Sequence, residues 1–226
     1  MDQAKLDVIV AGAGPAGATA ARTLAAAGVK VLLLDKSAFP RNKPCGGGIS
    51  VRALTRFPWL RAAMSGIDLH SVSRLQLEGP DGVVLEMSSA EPSMLLIRRV
   101  EFDHALVREA VRAGAAVREG FEITHAVIDD DGGVTLRSRG GETLRAPMVI
   151  AADGVHSVIA KRLGVNKAWP PRSIALDMME ETPVETLRAE QPDVLWVSYG
   201  YRGLDGYAYV FPKVRHVNVV ELFASQ

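Results

Sequence analysis

The chain has 226 residues, of which 48% are apolar, and its 26 Lys and Arg balance its 26 Asp and Glu. That length supports one large or two small domains with a real core, and a zero formal charge argues against an extended nucleic-acid surface, which needs clustered positive charge. The single cysteine, Cys45, excludes an internal disulfide and a cysteine-rich metal site, and no apolar run approaches the roughly 18 residues of a membrane span.

A reducing cytoplasm fits this composition, with surface contact to a membrane left open. Residues 6–35 read as strand, glycine turn, helix and strand. An apolar run enters Gly12-x-Gly14-x-x-Gly17, an alanine-rich stretch follows, and a second apolar run ends at Asp35. Gly12 permits the tight turn, Gly14 lets a pyrophosphate approach bare backbone, and Gly17 lets the helix pack close to the sheet. With Pro15 and Ala16 opening the helix, the phosphates sit over its N-terminus, where free N–H groups and the helix dipole favour negative charge. Asp35, at the tip of the second strand, is placed to accept hydrogen bonds from ribose hydroxyls.

Lys36 to Ser50 is predicted as a loop, carrying Phe39-Pro40-Arg41 and Pro44-Cys45-Gly46-Gly47-Gly48. Consecutive glycines lose much entropy on ordering, so they mark backbone that bends sharply or lies against something. Directly after the ribose-binding acid, this run points to a loop covering a cofactor rather than a flexible linker. Val51–Met64 has helical character interrupted by Pro58, and Val72–Met87 alternates around the hairpin signal Gly79-Pro80-Asp81-Gly82. Met94–Ile97 reads as a short strand, and Glu101–Ala113 as a helix stopped by Gly114.

Strands are predicted at Ala115–Val117, Phe121–Ile128, Val134–Ser138 and Met148–Ala152, the last running into Asp153-Gly154, with a short helix over Val155–Leu163. From Arg172 the pattern changes to longer alternating strands: Arg172–Glu181, Val194–Tyr199, Gly206–Phe211 and His216–Leu222. They predict a second, antiparallel sheet. Glu221–Gln226 does not continue that pattern. Tyr207, Tyr209 and Phe211 are spaced by two and share one strand face, opposite Ala208 and Val210. The five histidines are scattered without metal-ligand spacing, so no metal is expected.

These marks, in this order, resemble the FAD-dependent family that includes aromatic hydroxylases, squalene epoxidase and, most closely, the geranylgeranyl reductases. The general marks are the glycine loop, Asp35, Arg99-x-x-Phe102-Asp103 and Asp153-Gly154-x-x-Ser157. Those that narrow it are Lys43-Pro44-Cys45-Gly46-Gly47-Gly48 and Gly206-Tyr207-Ala208-Tyr209-Val210-Phe211-Pro212-Lys213.

The resemblance implies an α/β fold: a Rossmann-like FAD-binding domain with an inserted, mostly antiparallel β-sheet substrate domain. The first would use residues 1–70 and 95–165, the second 71–94 and 166–226. It implies that Gly12, Gly14, Pro15, Ala16, Gly17, Asp35 and Lys36 hold the ADP half of FAD. Arg41 would lie near the cofactor or its covering loop, and Arg99 would orient the cofactor from the start of a helix. Asp153 and Gly154 would sit beside the pyrophosphate, the acid acting through a water or through the turn it stabilises.

Cys45, with Gly46 and Gly47, would lie close to the flavin ring as the catalytic position. Tyr207, Tyr209 and Phe211 would wall a tunnel for a long polyisoprenoid, the alternative being an ordinary sheet face against a core. The reductases commonly have Trp where this chain has Tyr209. The implied reaction reduces isolated C=C bonds of a geranylgeranyl-type chain, on a small-molecule or lipid substrate, with NADPH or NADH as electron donor. No second dinucleotide fingerprint accompanies that donor. A flavin monooxygenase or halogenase on the same scaffold is the rival reading, and an inactive N-terminal fragment another. The family's third cofactor segment, a strand followed by Gly-Asp-Ala, does not occur in these 226 residues, so the chain is expected to be the N-terminal part of such an enzyme, with an incomplete substrate domain.

Overall fold

In the computed structural model the described residues are 6–187, 194–203 and 205–224. The chain opens with β1 (Val8–Ala11), α1 (Pro15–Ala26) and β2 (Val31–Leu34), then β3 (Gly48–Ser50), α2 (Arg52–Arg56) and α3 (Leu60–Ala63). Next come β4 (Leu69–Val72), β5 (Arg74–Glu78), β6 (Val84–Ser88), β7 (Met94–Ile97) and α4 (Arg99–Arg112). They are followed by β8 (Ala116–Arg118), β9 (Ile123–Ile128), β10 (Val134–Ser138), β11 (Thr143–Ala146), β12 (Met148–Ala151) and α5 (Val158–Arg162). The last strands are β13 (Ala175–Pro183), β14 (Leu195–Tyr199), β15 (Gly206–Pro212) and β16 (His216–Ala224). The chain divides into two compact units: Met1–Arg41 with Asp103–Ala168, and Asn42–Phe102 with Trp169–Gln226.

The first unit is built on a parallel sheet in the order β12-β1-β2-β8. Val8 to Ala11 lie opposite Met148 to Ala151 on one side and Val31 to Leu34 on the other, so β1 is covered at both edges. All four of its residues are buried, as an apolar strand inside a parallel sheet requires. The alanines of α1 allow close approach: Gly17, Ala18, Ala21 and Ala25 form its buried side. On the other face Ile9, Ala11 and Leu34 join Phe121, Ala126, Leu136, Ala146 and Ile159 in one cluster. Those partners come from α5, from an antiparallel sheet in the order β11-β10-β9 and, for Phe121, from the segment leading into β9.

The second unit holds a small antiparallel sheet, β3-β7-β4, and a six-stranded sheet in the order β13-β16-β15-β14-β5-β6. Every neighbouring pair in the larger sheet is antiparallel except β14 and β5, which run parallel with Leu195 opposite Leu75. Val72 and Leu96 of the small sheet and Leu195 of the larger one form a buried cluster, with Leu75, Met94, Val197 and Phe211 packed against them. The fold is therefore α/β, with a parallel Rossmann-like sheet and separate antiparallel sheets.

Three local differences from the sequence reading have physical causes. The glycine run does not stay a loop to Ser50, because Gly48–Ser50 pairs with β7 as a strand. Thr143–Ala146 is a strand because β10 supplies its hydrogen bonds, Leu136 standing opposite Leu144. The strand at the end of the chain runs on to Ala224, since β13 and β15 flank it on both sides and hold its backbone whatever its side-chain pattern.

Candidate functional site

In the first unit the three motif glycines have different surroundings. Gly12 has φ +95°, and a Cβ there would meet the Ala152 carbonyl oxygen at 2.3 Å. A Cβ on Gly17 would stand 1.8 Å from the Gly12 oxygen. Both glycines are demanded by the packing of turn, helix and β12. Gly14 is different: a Cβ there would meet only the Arg41 Nη2, at 3.8 Å. Gly14 is also the N-cap of α1, with Pro15 at the start of the helix, no side-chain cap and no acid in the first turn. The first-turn N–H groups and the positive end of a twelve-residue helix thus face an open backbone, the setting that suits a phosphate.

Asp35 closes this site from the tip of β2. It is 8% exposed, and its two carboxylate oxygens accept from the Ala13 N–H at 2.8 Å and the Ser37 N–H at 2.9 Å. The acid therefore also shapes the glycine loop, while a carboxylate retains acceptor capacity for ribose hydroxyls. Arg41 reaches the same place. Its Nε lies 3.8 Å from Asp35, its Nη1 lies 3.2 Å from the fully buried Asp103, and its guanidinium stacks 4.9 Å over the Phe39 ring. Lys36 points to solvent. The donors, the acid and the open glycine fit the ADP half of a dinucleotide cofactor.

Asp153 follows β12 and is committed to α5. Its Oδ2 accepts from the Val158 and Ile159 N–H groups, and Ser157 caps the same helix by accepting from the Ala160 N–H. Capping explains why α5 begins at Val158 rather than Val155. Gly154 supplies a φ of +88° in that turn. Arg99 stands half-buried at the first residue of α4.

In the second unit two sequence segments some 160 residues apart meet. The Gly46 N–H donates to the Tyr209 hydroxyl oxygen at 3.1 Å. A Cβ on Gly46 would meet Tyr209 Cε2 at 2.7 Å and Phe211 Cδ2 at 2.9 Å, and one on Gly48 would meet Met94 Sδ at 2.9 Å. Gly47, at φ +77°, lies against the Ile97 carbonyl, which a Cβ would meet at 2.0 Å. Half-buried Cys45 donates its N–H to Met179 Sδ at 3.0 Å. The fully buried Asn218 bonds Met179 Sδ at 2.9 Å and the Cys45 carbonyl at 3.5 Å.

Beneath the loop runs a row of rings. Tyr209 lies 4.3 Å from Phe211 and stacks on Tyr207 at 6.0 Å, and Tyr207 meets Tyr199 at 5.9 Å between centroids. Exposure falls along the row, from 51% at Tyr199 to 8% at Tyr209. Burial, with the charge of Asp177 nearby, pushes the Tyr209 phenol well above its ordinary range, so it stays protonated.

Next to the row, Glu181 accepts from Lys213 Nζ at 2.9 Å and from Arg98 Nε at 3.0 Å. Burial works against the Glu181 charge, but Arg98 and Lys213 together hold its carboxyl below the usual range. Burial pushes the Lys213 amine down against the pull of Glu181. Sequence reasoning named Lys213 only as the end of a motif and gave Met179, Glu181 and Asn218 no role, although strand alternation places Asn218 level with Glu181 and Phe211 on one face. A surface hollow lined by His104, Val107, Arg108, Val111, Arg112, Val117 and Glu119 lies on the first unit and contains none of the residues named above.

Comparison with known proteins places these features. A digeranylgeranylglycerophospholipid reductase of Methanosarcina mazei is 34% identical over 226 aligned residues, covering 92% of this chain and 52% of the relative. A solved geranylgeranyl bacteriochlorophyll reductase-like structure from Thermoplasma acidophilum superposes with a TM-score of 0.85 at 28% identity, covering 97% of this chain and 57% of that one. A solved flavin-dependent halogenase shares the fold, with a TM-score of 0.75 at 23% identity over 98% of this chain and 42% of its own. The chain spans about half the length of the curated relatives it matches. The profile of the FAD binding domain matches residues 5–215, and with the glycine cradle and Asp35 in place the chain belongs to that family.

Proposed function

We propose that this chain is part of an FAD-dependent reductase that saturates isolated C=C bonds in a geranylgeranyl-type chain carried by a lipid. One observation carries the reading: the Cys45–Gly48 loop is built onto Tyr209 and Phe211, so the two segments that set the reductases apart form a single packed feature. The reductase relative from Methanosarcina mazei supports the same substrate class.

In this reading Gly12, Gly14, Pro15, Ala16 and Gly17 cradle the pyrophosphate, and Asp35 takes the ribose hydroxyls. Arg41 and Arg99 supply positive charge, and the Asp153-Gly154 turn supports the loop from β12. FAD, when bound, supplies the hydride, and NADPH or NADH reloads it. An isolated trisubstituted alkene has no carbonyl to spread developing charge. Reduction would therefore need a proton delivered to one alkene carbon and hydride from the bound, reduced flavin delivered to the more substituted one. Tyr207, Tyr209 and Phe211 offer the apolar, neutral wall that a prenyl chain requires, and Cys45 stands at the reacting end. A lipid substrate brings the enzyme to the cytoplasmic face of a membrane, although no helix among the described residues is long and apolar enough to cross one.

The test is a FAD titration of the chain, followed by anaerobic turnover of a geranylgeranyl lipid with NADPH or NADH by the chain extended through the family's third cofactor segment. The expected result is a yellow complex and a product heavier by two hydrogens per double bond. Cys45→Ser should keep the flavin and lower turnover. Turnover that demands oxygen would replace this reading with a monooxygenase or halogenase, and absence of both activities would leave an inactive fragment.

A further inference from the structure

Asp103 is fully buried, and a carboxylate without solvent is costly unless it is paired. It meets Arg41, and the three nitrogens of that guanidinium divide their tasks. Nη1 lies 3.2 Å from Asp103, Nε lies 3.8 Å from Asp35, and Nη2 lies 3.8 Å from where a Gly14 Cβ would be. The Phe39 ring closes the remaining face at 4.9 Å. A planar guanidinium can serve three directions in this way, whereas an ammonium cannot.

We infer that Asp103 is a positioning residue for cofactor binding: it fixes Arg41 so that Nη2 faces the open backbone at Gly14, where the pyrophosphate sits. This rests on the reading that the glycine loop holds FAD. The inference runs against simple electrostatics, which makes it decisive. A second carboxylate near an anionic ligand should by itself repel it, so removing its charge should tighten binding. A positioning role demands the opposite.

The experiment is calorimetric titration of ADP and FAD onto the 226-residue chain, with adenosine as the ligand that lacks phosphate and thermal melting of the cofactor-free protein alongside. Asp103→Asn should weaken ADP and FAD roughly tenfold, the scale of one charge-assisted hydrogen bond, and leave adenosine within about twofold. Arg41→Gln should weaken ADP by a similar factor. Arg41→Gln/Asp103→Asn should bind no worse than Arg41→Gln alone, since Asp103 acts only through Arg41. That double variant removes both buried charges together, so it serves even where Asp103→Asn alone fails to fold. Unchanged or tighter ADP binding in Asp103→Asn overturns the inference, as does a parallel loss of adenosine or a further loss in the double variant. If Arg41→Gln binds ADP like the parent, the role of Arg41 itself is wrong. If the parent chain binds neither ADP nor FAD, the fault lies with the functional reading instead.

Discussion

The molecule has two glycine-rich loops, and they use their glycines in opposite ways. In the loop after β1, Gly12 and Gly17 are filled by protein but Gly14 opens onto free space beside the start of α1. In the run that leads into β3, all three of Gly46, Gly47 and Gly48 are filled, by Tyr209, Phe211, Ile97 and Met94. A glycine at a helix start that the chain leaves room around can admit a ligand against its backbone. A glycine pressed against a ring or a carbonyl is kept for internal fit. By this criterion the first loop is a receptor and the second is a plug.

The sharpest way to break the comparison is to add a methyl group at each kind of position. Gly17→Ala and Gly47→Ala drive a Cβ into a backbone oxygen, and Gly47 adds a positive φ. Each should lose about 3 kcal/mol or more, combining overpacking with backbone strain. Denaturant unfolding would register this as a lower midpoint, and an unshifted midpoint would mean the glycines are not packed as described. Gly14→Ala should behave in the reverse sense. Its stability should fall by less than about 1 kcal/mol, because φ is −70° and the space is open. Its FAD affinity should fall roughly 30-fold, about 2 kcal/mol, as the methyl displaces the phosphate. Equal losses of stability in Gly14→Ala and Gly17→Ala would erase the distinction between receptor and plug.

A smaller effect tests the plug alone. Tyr209→Phe removes the acceptor of the Gly46 N–H and should cost about 1–2 kcal/mol of stability, the range for a buried donor left unsatisfied. ADP affinity, read by calorimetry, should not change. The smallest effect concerns pH. Glu181 has its folded pKa held below the unfolded value of about 4.3, so its stabilisation is present above that pH and lost as pH falls through the folded value. Lys213 is also depressed, so the unfolded chain binds more protons up to about pH 10.4 and stability rises across that alkaline window. Glu181→Gln/Lys213→Met, which removes both charges, should flatten the two slopes in unfolding measured from about pH 3 to 10.

The receptor was legible in the sequence because its parts are local. Apolar runs, three glycines and an acid lie within thirty residues, and β1, α1 and β2 fall where periodicity puts them. The plug was legible as composition but not as contact, since nothing in the spacing says that Gly46 will rest on Tyr209. Only resemblance to a family joined those segments. Asp153 shows another limit: an acid in an Asp-Gly turn can face a ligand or cap the next helix, and only the Val158 and Ile159 N–H groups reveal the second task. Short strands such as β3 and β11 were missed for a simpler reason. Three or four residues carry too little alternation to be read, and their strand character comes from β7 and β10 alongside.

The parallel pairing of β14 with β5 has a consequence for how the protein is made. The hairpin of β5 and β6 is complete when residue 88 is joined, but its partner strand ends at Tyr199, about a hundred residues later. At the ribosome's pace of roughly 5–20 residues per second, that hairpin waits on the order of 5–20 s. Throughout the wait the edge of β5 destined for β14 lacks its partner, and Val84, Leu85 and Met87, which are exposed even in the finished sheet, give it no cover. An isolated two-stranded hairpin is marginal in water, and an unpaired edge is a template for the wrong neighbour. Yield in a cell should therefore depend on chaperone occupancy of this early segment during elongation, and slower translation past residue 88 should worsen it.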